Sequence, residues 1–418
     1  MTSLFGMPLE KGRWVFIALG LVINLCMGSI YAWSVFVEPI TAYFSGMLGQ
    51  AVTANDVLLP FSVFLVFLAL VMPFTGKIID TFGPRNATIL GGVLGGLGWI
   101  LASVSPSVLV LSAMYGVIGG TGAGISYSVL VTIAARWFPD RRGLAVGITV
   151  LGIGFSAFFT ANIAGYFIGA YGVMNTFRLF GSAIATITVL LALPLRFPIP
   201  GWVPQGWAHP APDFGEGAFC ECNRARMLRS SSFYGLWGCY FIGCLAGLMA
   251  ISITKPVGID AGIETGLATF LVGFFAVFNG VGRPLFGELT DRLTPRNAAI
   301  ASFLLIALAS LFMWQLPIEP VYILSFAILW GCLGGWLAIA PTATGNYFGT
   351  CDYPRCYGVV FLAFGAGAIA GPQLAGFIKS STDSYIGVFP YVLGLALLGM
   401  VIAFILLKPP RFGIPAGQ

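Results

Sequence analysis

Arg283 lies about 17 residues into the apolar segment Gly266–Leu289, short of its charged end at Glu288 and Asp291. A charge at that depth in hydrocarbon costs about 2.5–3.5 kcal/mol on insertion scales. Such a charge is kept where it faces a polar cavity or binds a counter-ion. No other lysine or arginine is so far from a segment end, and no acid sits at that level to pair with it. The chemistry this allows is the capture of an anion, a carboxylate above all, on the planar fork of a guanidinium. The competing role is a structural arginine bonded to helix carbonyls. Asn279, four residues earlier, shares the same helix face. It suits a carboxylate or hydroxyl oxygen, or equally a hydrogen bond between helices.

The elements that position these residues are membrane-spanning helices. Charged residues are 8% of the chain and hydrophobic ones 58%, against roughly 25% charged in soluble domains. Twelve apolar runs long enough to cross about 30 Å of hydrocarbon recur, from 14–39 to 385–407. Six precede and six follow a polar stretch at 198–230. The expected fold is an all-α membrane protein: residues 1–197 and 231–418 as two six-helix bundles, joined by the 198–230 loop. The first run has no clear cleavage site and reads as a retained helix.

Basic residues sit in alternate loops, so the net charge of +5 reports topology and not nucleic-acid binding. The positive-inside rule then places both termini and the central loop in the cytoplasm. Cys26, Cys239, Cys244 and Cys332 lie within helices as small apolar residues. Cys351 and Cys356 fall in a basic-side loop and are expected to be reduced. Cys220 and Cys222, near His209, are one residue apart, whereas structural zinc sites space their thiols by two to four. No metal and no cofactor is expected. An enzyme is not expected either: there is no nucleophile with an adjacent base, no nucleotide-binding loop and no cluster of His, Cys and acid at one depth.

An internal repeat sets the architecture. Gly76, Asp80, Pro84, Arg85 and Asn86 recur as Gly287, Asp291, Pro295, Arg296 and Asn297, each 211 residues on. Each Asp can accept hydrogen bonds from a helix N-terminus or from arginine, and each Gly lets helices approach. Gly76, Asp80, Arg85, Gly287, Asp291 and Arg296 are therefore candidate gating residues, with Glu288 beside them. Six helices, a loop and six more match the two-half arrangement of major facilitator transporters, with a site at the midplane.

The run Arg136–Gly147 (RWFPDRRGLAVG) resembles the signature shared by monocarboxylate transporters and oxalate/formate antiporters. Phe278–Gly280 followed by Arg283 and Pro284 resembles the helix-8 substrate motif of that group, and Tyr31–Trp33 its helix 1. The resemblance implies that Arg283 binds the substrate carboxylate. It implies that Tyr31 and Tyr127 line the cavity, that Phe361 and Phe364 form an apolar wall, and that Ile153 lies opposite. Trp336 and Cys332 belong to the tenth helix, with their facing open. Animal-type monocarboxylate transporters carry an aspartate at the position of Asn279, linked to proton coupling; an amide cannot take that proton. The oxalate antiporter's helix-11 lysine aligns with Phe364. One cation then remains, which matches a monoanion with an apolar portion, such as lactate or pyruvate. The expectation is a proton-coupled monocarboxylate carrier working by alternating access as a monomer in the cytoplasmic membrane. An oxalate/formate-type exchanger is the alternative. An anion channel would want rings of cations.

Overall fold

The computed structural model describes residues 3–199, 201–206, 223–382 and 384–410. Cys220, Cys222 and His209 lie outside the described residues. Within them, eleven apolar helical runs are long enough to cross a membrane. Helix is forced here because lipid offers no hydrogen bonds, so each segment must satisfy its own backbone.

Helix α1 is Leu9–Leu48, tightened by a 3-10 turn at Gly28–Ala32. The run Asp56–Ala102 is interrupted at Gly83, which adopts φ 72°, ψ 169°. It divides into α2 (56–82) and α3 (84–102). Their directions are fixed by a shared neighbour, α4 (Val108–Trp137). Phe64 meets Gly120 and Leu68 meets Gly124, so α2 runs parallel to α4; Gly98 meets Gly119 and Gly91 meets Ser126, so α3 runs against it. The chain therefore reverses at Gly83, and eleven runs make twelve passes. The remaining helices are α5 (Arg142–Tyr171), α6 (Val173–Ala192), α7 (Ser231–Asp260), α8 (Thr265–Leu293), α9 (Pro295–Gln315), α10 (Glu319–Phe348), α11 (Tyr353–Thr382) and α12 (Ile386–Leu406).

Among the first six, α1 packs on α5, α2 on α4, and α3 on α4 and α6. Among the last six, α7 packs on α11, α8 on α10, and α9 on α10 and α12. The two sets join chiefly through α5 against α8 and α2 against α11.

One end of the molecule gathers the basic loops. Arg13, at the start of α1, binds Asp140 through both terminal nitrogens (2.6 and 2.8 Å) and the Trp137 carbonyl (3.1 Å). Arg136 reaches the Cys351 carbonyl, Arg142 reaches Asn346, and Ser232 binds the Lys408 carbonyl. The start of α1 and the end of α12 thus lie at this same basic end. Cys351, expected to be reduced, is disulfide-bonded. The Arg224 amide donates to Asp352 in the same loop (3.0 Å).

Candidate functional site at the centre of the helix bundle

Arg283 is 1% exposed and lines a cavity between the two sets of helices. Its Nη1 donates to the Val150 carbonyl on α5, and its Nη2 to Asn279 Oδ1 at 3.0 Å. Its Nε is buried without a partner. Of five N–H donors the side chain offers, one goes to Val150 and one to Asn279, and Tyr31 is a further hydrogen-bond partner. No carboxylate pairs with it among the described residues. Pro284 follows directly; lacking an N–H, it leaves the Gly280 carbonyl without its helical partner.

Tyr31, Tyr127, Ile153, Phe361 and Phe364 line the same cavity. Tyr31 lies beside the guanidinium. The Tyr127 hydroxyl pairs with that of Tyr357 at 3.1 Å, joining α4 to α11. Phe361 packs on Tyr127 (5.3 Å) and Phe364 (5.1 Å). The remaining wall is apolar, with Leu65, Leu68 and Leu337 among it. The void at the centre is only about 20 Å³, room for about one water. A bound organic acid needs the helices to part.

Asn279 and Trp336 do not line this void. Asn279 is 7% exposed with both polar groups engaged. Its Oδ1 accepts from Arg283, and its Nδ2 donates to the Trp330 carbonyl on α10 at 3.2 Å. It holds the arginine and does not line the cavity. Trp336 is fully buried behind the wall, against Gly243, 5.0 Å from Phe303 and 6.3 Å from Tyr240. Leu337, one residue on, reaches the cavity instead. The tenth helix is buried on every side there, so its pattern could not say which residue faced in.

Between this cavity and the basic end, the two sets of helices are latched. Asp291 accepts hydrogen bonds from the Gly143 and Leu144 amides (2.7 and 2.8 Å). These are the free N–H groups of the first turn of α5, whose own N-cap, Arg141, makes no side-chain cap. A carboxylate from α8 thus caps α5 from across the interface, aided by the helix dipole. The contact needs glycine twice: a methyl on Gly143 would strike the Gly287 carbonyl, and one on Gly287 the Gly143 carbonyl.

The repeat partner Asp80 uses the other option and pairs with Arg355 on α11, whose stem lies against Gly76. That pair is half exposed, so it contributes about 0–1 kcal/mol. Arg85 is exposed. Arg296 lies 4.4 Å from the Phe404 ring, within its own set of helices. Glu288 pairs with Arg292 on its own helix at 2.8 Å and takes no part in the latch. Arg355, the partner of Asp80, was visible in the sequence only as a basic loop residue.

The sequence matches the family model of the Major Facilitator Superfamily over residues 17–350, and again over 236–417. The chain belongs to the Major Facilitator Superfamily. The oxalate:formate antiporter of Oxalobacter formigenes is 28% identical, over 88% of this chain and 85% of its own length. Monocarboxylate transporter 14 of Mus musculus is 25% identical, over 81% of this chain and 80% of its own length. Those are the two groups whose motifs the sequence resembles. Among solved structures, the proton:xylose symporter XylE matches with a TM-score of 0.74 at 13% identity, covering 96% of both chains. A human organic anion transporter matches with 0.68 at 16% identity, covering 95% of this chain and 99% of that one. The protein is a multi-pass, all-helical secondary transporter of this superfamily, and superfamily relatives are transporters rather than enzymes.

Proposed function

We propose that this major facilitator protein carries a small monocarboxylate across the cytoplasmic membrane by alternating access, with Arg283 as the anchor for the carboxylate. The observation that carries the reading is a buried guanidinium that lines the central cavity, has an unpartnered Nε and faces no acid among the described residues. Phe364 in the wall supports a monoanion: the one cation in the lining balances one charge and leaves a second uncompensated.

Two six-helix repeats, 1–197 and 231–418, move against each other in this proposal, with 198–230 as their linker. Their helix pairings correspond: α1 on α5 with α7 on α11, α2 on α4 with α8 on α10, α3 on α6 with α9 on α12. The turns correspond too. Gly83 has φ 72°, ψ 169°, and Thr294, at the same offset, has φ 92°, ψ 152°. A threonine there is strained by about 1–3 kcal/mol, so the repeated turn is held by its surroundings. The basic end, with the start of α1 and the end of α12, faces the cytoplasm, and one chain suffices as a carrier.

Loading neutralises Arg283, and a neutralised centre costs less to occlude than a bare cation. The polar lining is a guanidinium and two phenols, none of which gains a proton near neutral pH. That supports exchange of one anion for another over the proton symport expected from the resemblance.

The test is uptake into proteoliposomes with a panel of mono- and dicarboxylates, with and without internal anion and with and without a pH gradient. Internal monocarboxylate is expected to accelerate uptake. Arg283→Lys is expected to lose most of it, because a point charge does not reproduce the fork. Uptake near wild type by Arg283→Ala would remove the proposed anchor.

A further inference from the structure

Asp291 occupies a place built for an anion. Its two oxygens each accept one amide, from Gly143 (2.7 Å) and Leu144 (2.8 Å), in the first turn of the 30-residue helix α5. Arg142, the residue before them, acts on the same carboxylate. Arg142 is 9% exposed, and its Nε is buried without a hydrogen-bond partner. α10 holds the rest of the side chain: Nη1 donates to Asn346 Oδ1 at 2.6 Å, and the stem lies against Gly345. Asp291, Gly345 and Asn346 all belong to the second set of helices. When that set withdraws from α5, the first turn keeps two free amides and a guanidinium that has lost its acceptor. Such donors at a helix N-terminus hold oxyanions, helped by the dipole and by the fork of the guanidinium.

We infer that the first turn of α5 is a second anion site, for a carboxylate or phosphate oxyanion, formed by the Gly143 and Leu144 amides with Arg142. The chain's own Asp291 fills it while the basic end is closed, and a free anion fills it when that end opens. The inference does not depend on Arg283 as a carboxylate anchor. Gly154 lies eleven residues further along α5, about 16 Å on, and a methyl there would come within 3.2 Å of Arg283 Nε. An anion that leaves the cavity along the seam between α5 and α8 therefore meets Arg142 next. An anion that binds only the open form favours it: at ten times the half-saturating concentration, the ratio of open to closed forms rises about 11-fold. Free anion thus holds the basic end open, and closure on Asp291 expels it.

The test uses the purified full chain, with Arg283→Ala in every arm to silence the central cavity. Binding is read from the line broadening of the acetate methyl protons and of the phosphorus resonance of inorganic phosphate, at constant ionic strength. Asp291→Ala frees the amides, and saturable broadening is expected. With Asp291 kept, half-saturation is expected at a concentration about tenfold higher, because an attached carboxylate competes at high effective concentration. Arg142→Gln beside Asp291→Ala keeps a donor for Asn346 but loses the charge, and is expected to raise half-saturation about tenfold; Arg142→Lys is expected to restore most of that loss. Displacement of phosphate by an equal concentration of acetate makes a carboxylate in transit the occupant. Phosphate held against excess acetate makes the occupant free phosphate. No saturable broadening by either probe with Asp291→Ala, equal half-saturation with Asp291 kept, or half-saturation unmoved by Arg142→Gln each overturns the inference.

Discussion

Asn279→Asp would change how this carrier responds to protons. In the structure the Asn279 oxygen is 3.0 Å from Arg283 Nη2. A carboxylate in its place would meet the guanidinium at a charge separation of about 4 Å, an attraction of about 4 kcal/mol at an effective dielectric of 20. Desolvation of the second charge removes part of that gain. If about half remains, a substrate must overcome about 2 kcal/mol, and its affinity falls about 30-fold. Protonating the new acid frees the guanidinium, so binding recovers as pH falls. By linkage, the anion and the proton then favour each other's binding. The variant should therefore take up a proton with its substrate where the parent does not. The assay is counterflow of a short monocarboxylate in proteoliposomes between pH 8 and 6, with external pH recorded. Wild type is expected to change little across that range. A variant with wild-type half-saturation at every pH, and no proton movement, would refute the placement of Asn279 as the residue that holds Arg283.

Two further outcomes test the wall and the latch. Phe364→Lys adds a second cation to the lining and is expected to shift the ratio of dicarboxylate to monocarboxylate uptake at least tenfold toward the dicarboxylate; an unchanged ratio would defeat the charge-counting argument. Asp291→Asn removes the charge that caps α5 and is expected to weaken closure of the basic end by about 1–2 kcal/mol, about 5- to 30-fold in the ratio of open to closed forms. Pulsed electron-resonance distances between spin labels at Phe82 and Arg292, both exposed at that end, should show the wider separation gain population. A distance distribution identical to that of the parent would count against the latch.

Much of the site was legible because charge stands out in an apolar run. Arg283 could be found by depth alone, and Asp80 and Asp291 by their recurrence at one offset. The resemblance brought Tyr31, Tyr127, Ile153, Phe361 and Phe364 to one cavity, and the structure places all five there. Trp336 and Leu337 could not be told apart in this way. Every residue from Cys332 to Gly345 is buried, so the helix has no polar face to betray its orientation. Glu288 and Asp291 were likewise two acids near one helix end. Only one reaches across to α5, because Gly143 and Gly287 bring the backbones together at that level.

By itself the sequence determined that this chain crosses the membrane repeatedly, which loops carry the positive charge, and that one guanidinium lies deep in hydrocarbon. These follow from the cost of burying charge and unpaired backbone, which depends on residue type and local spacing. The tertiary structure alone decided what each polar atom is engaged with. It put Asn279 on Arg283 and Trp330, put Tyr127 on Tyr357, and set Asp291 on the first turn of α5. Hydrogen bonds reach about 3 Å, so their partners are fixed by how helices far apart in the chain pack together.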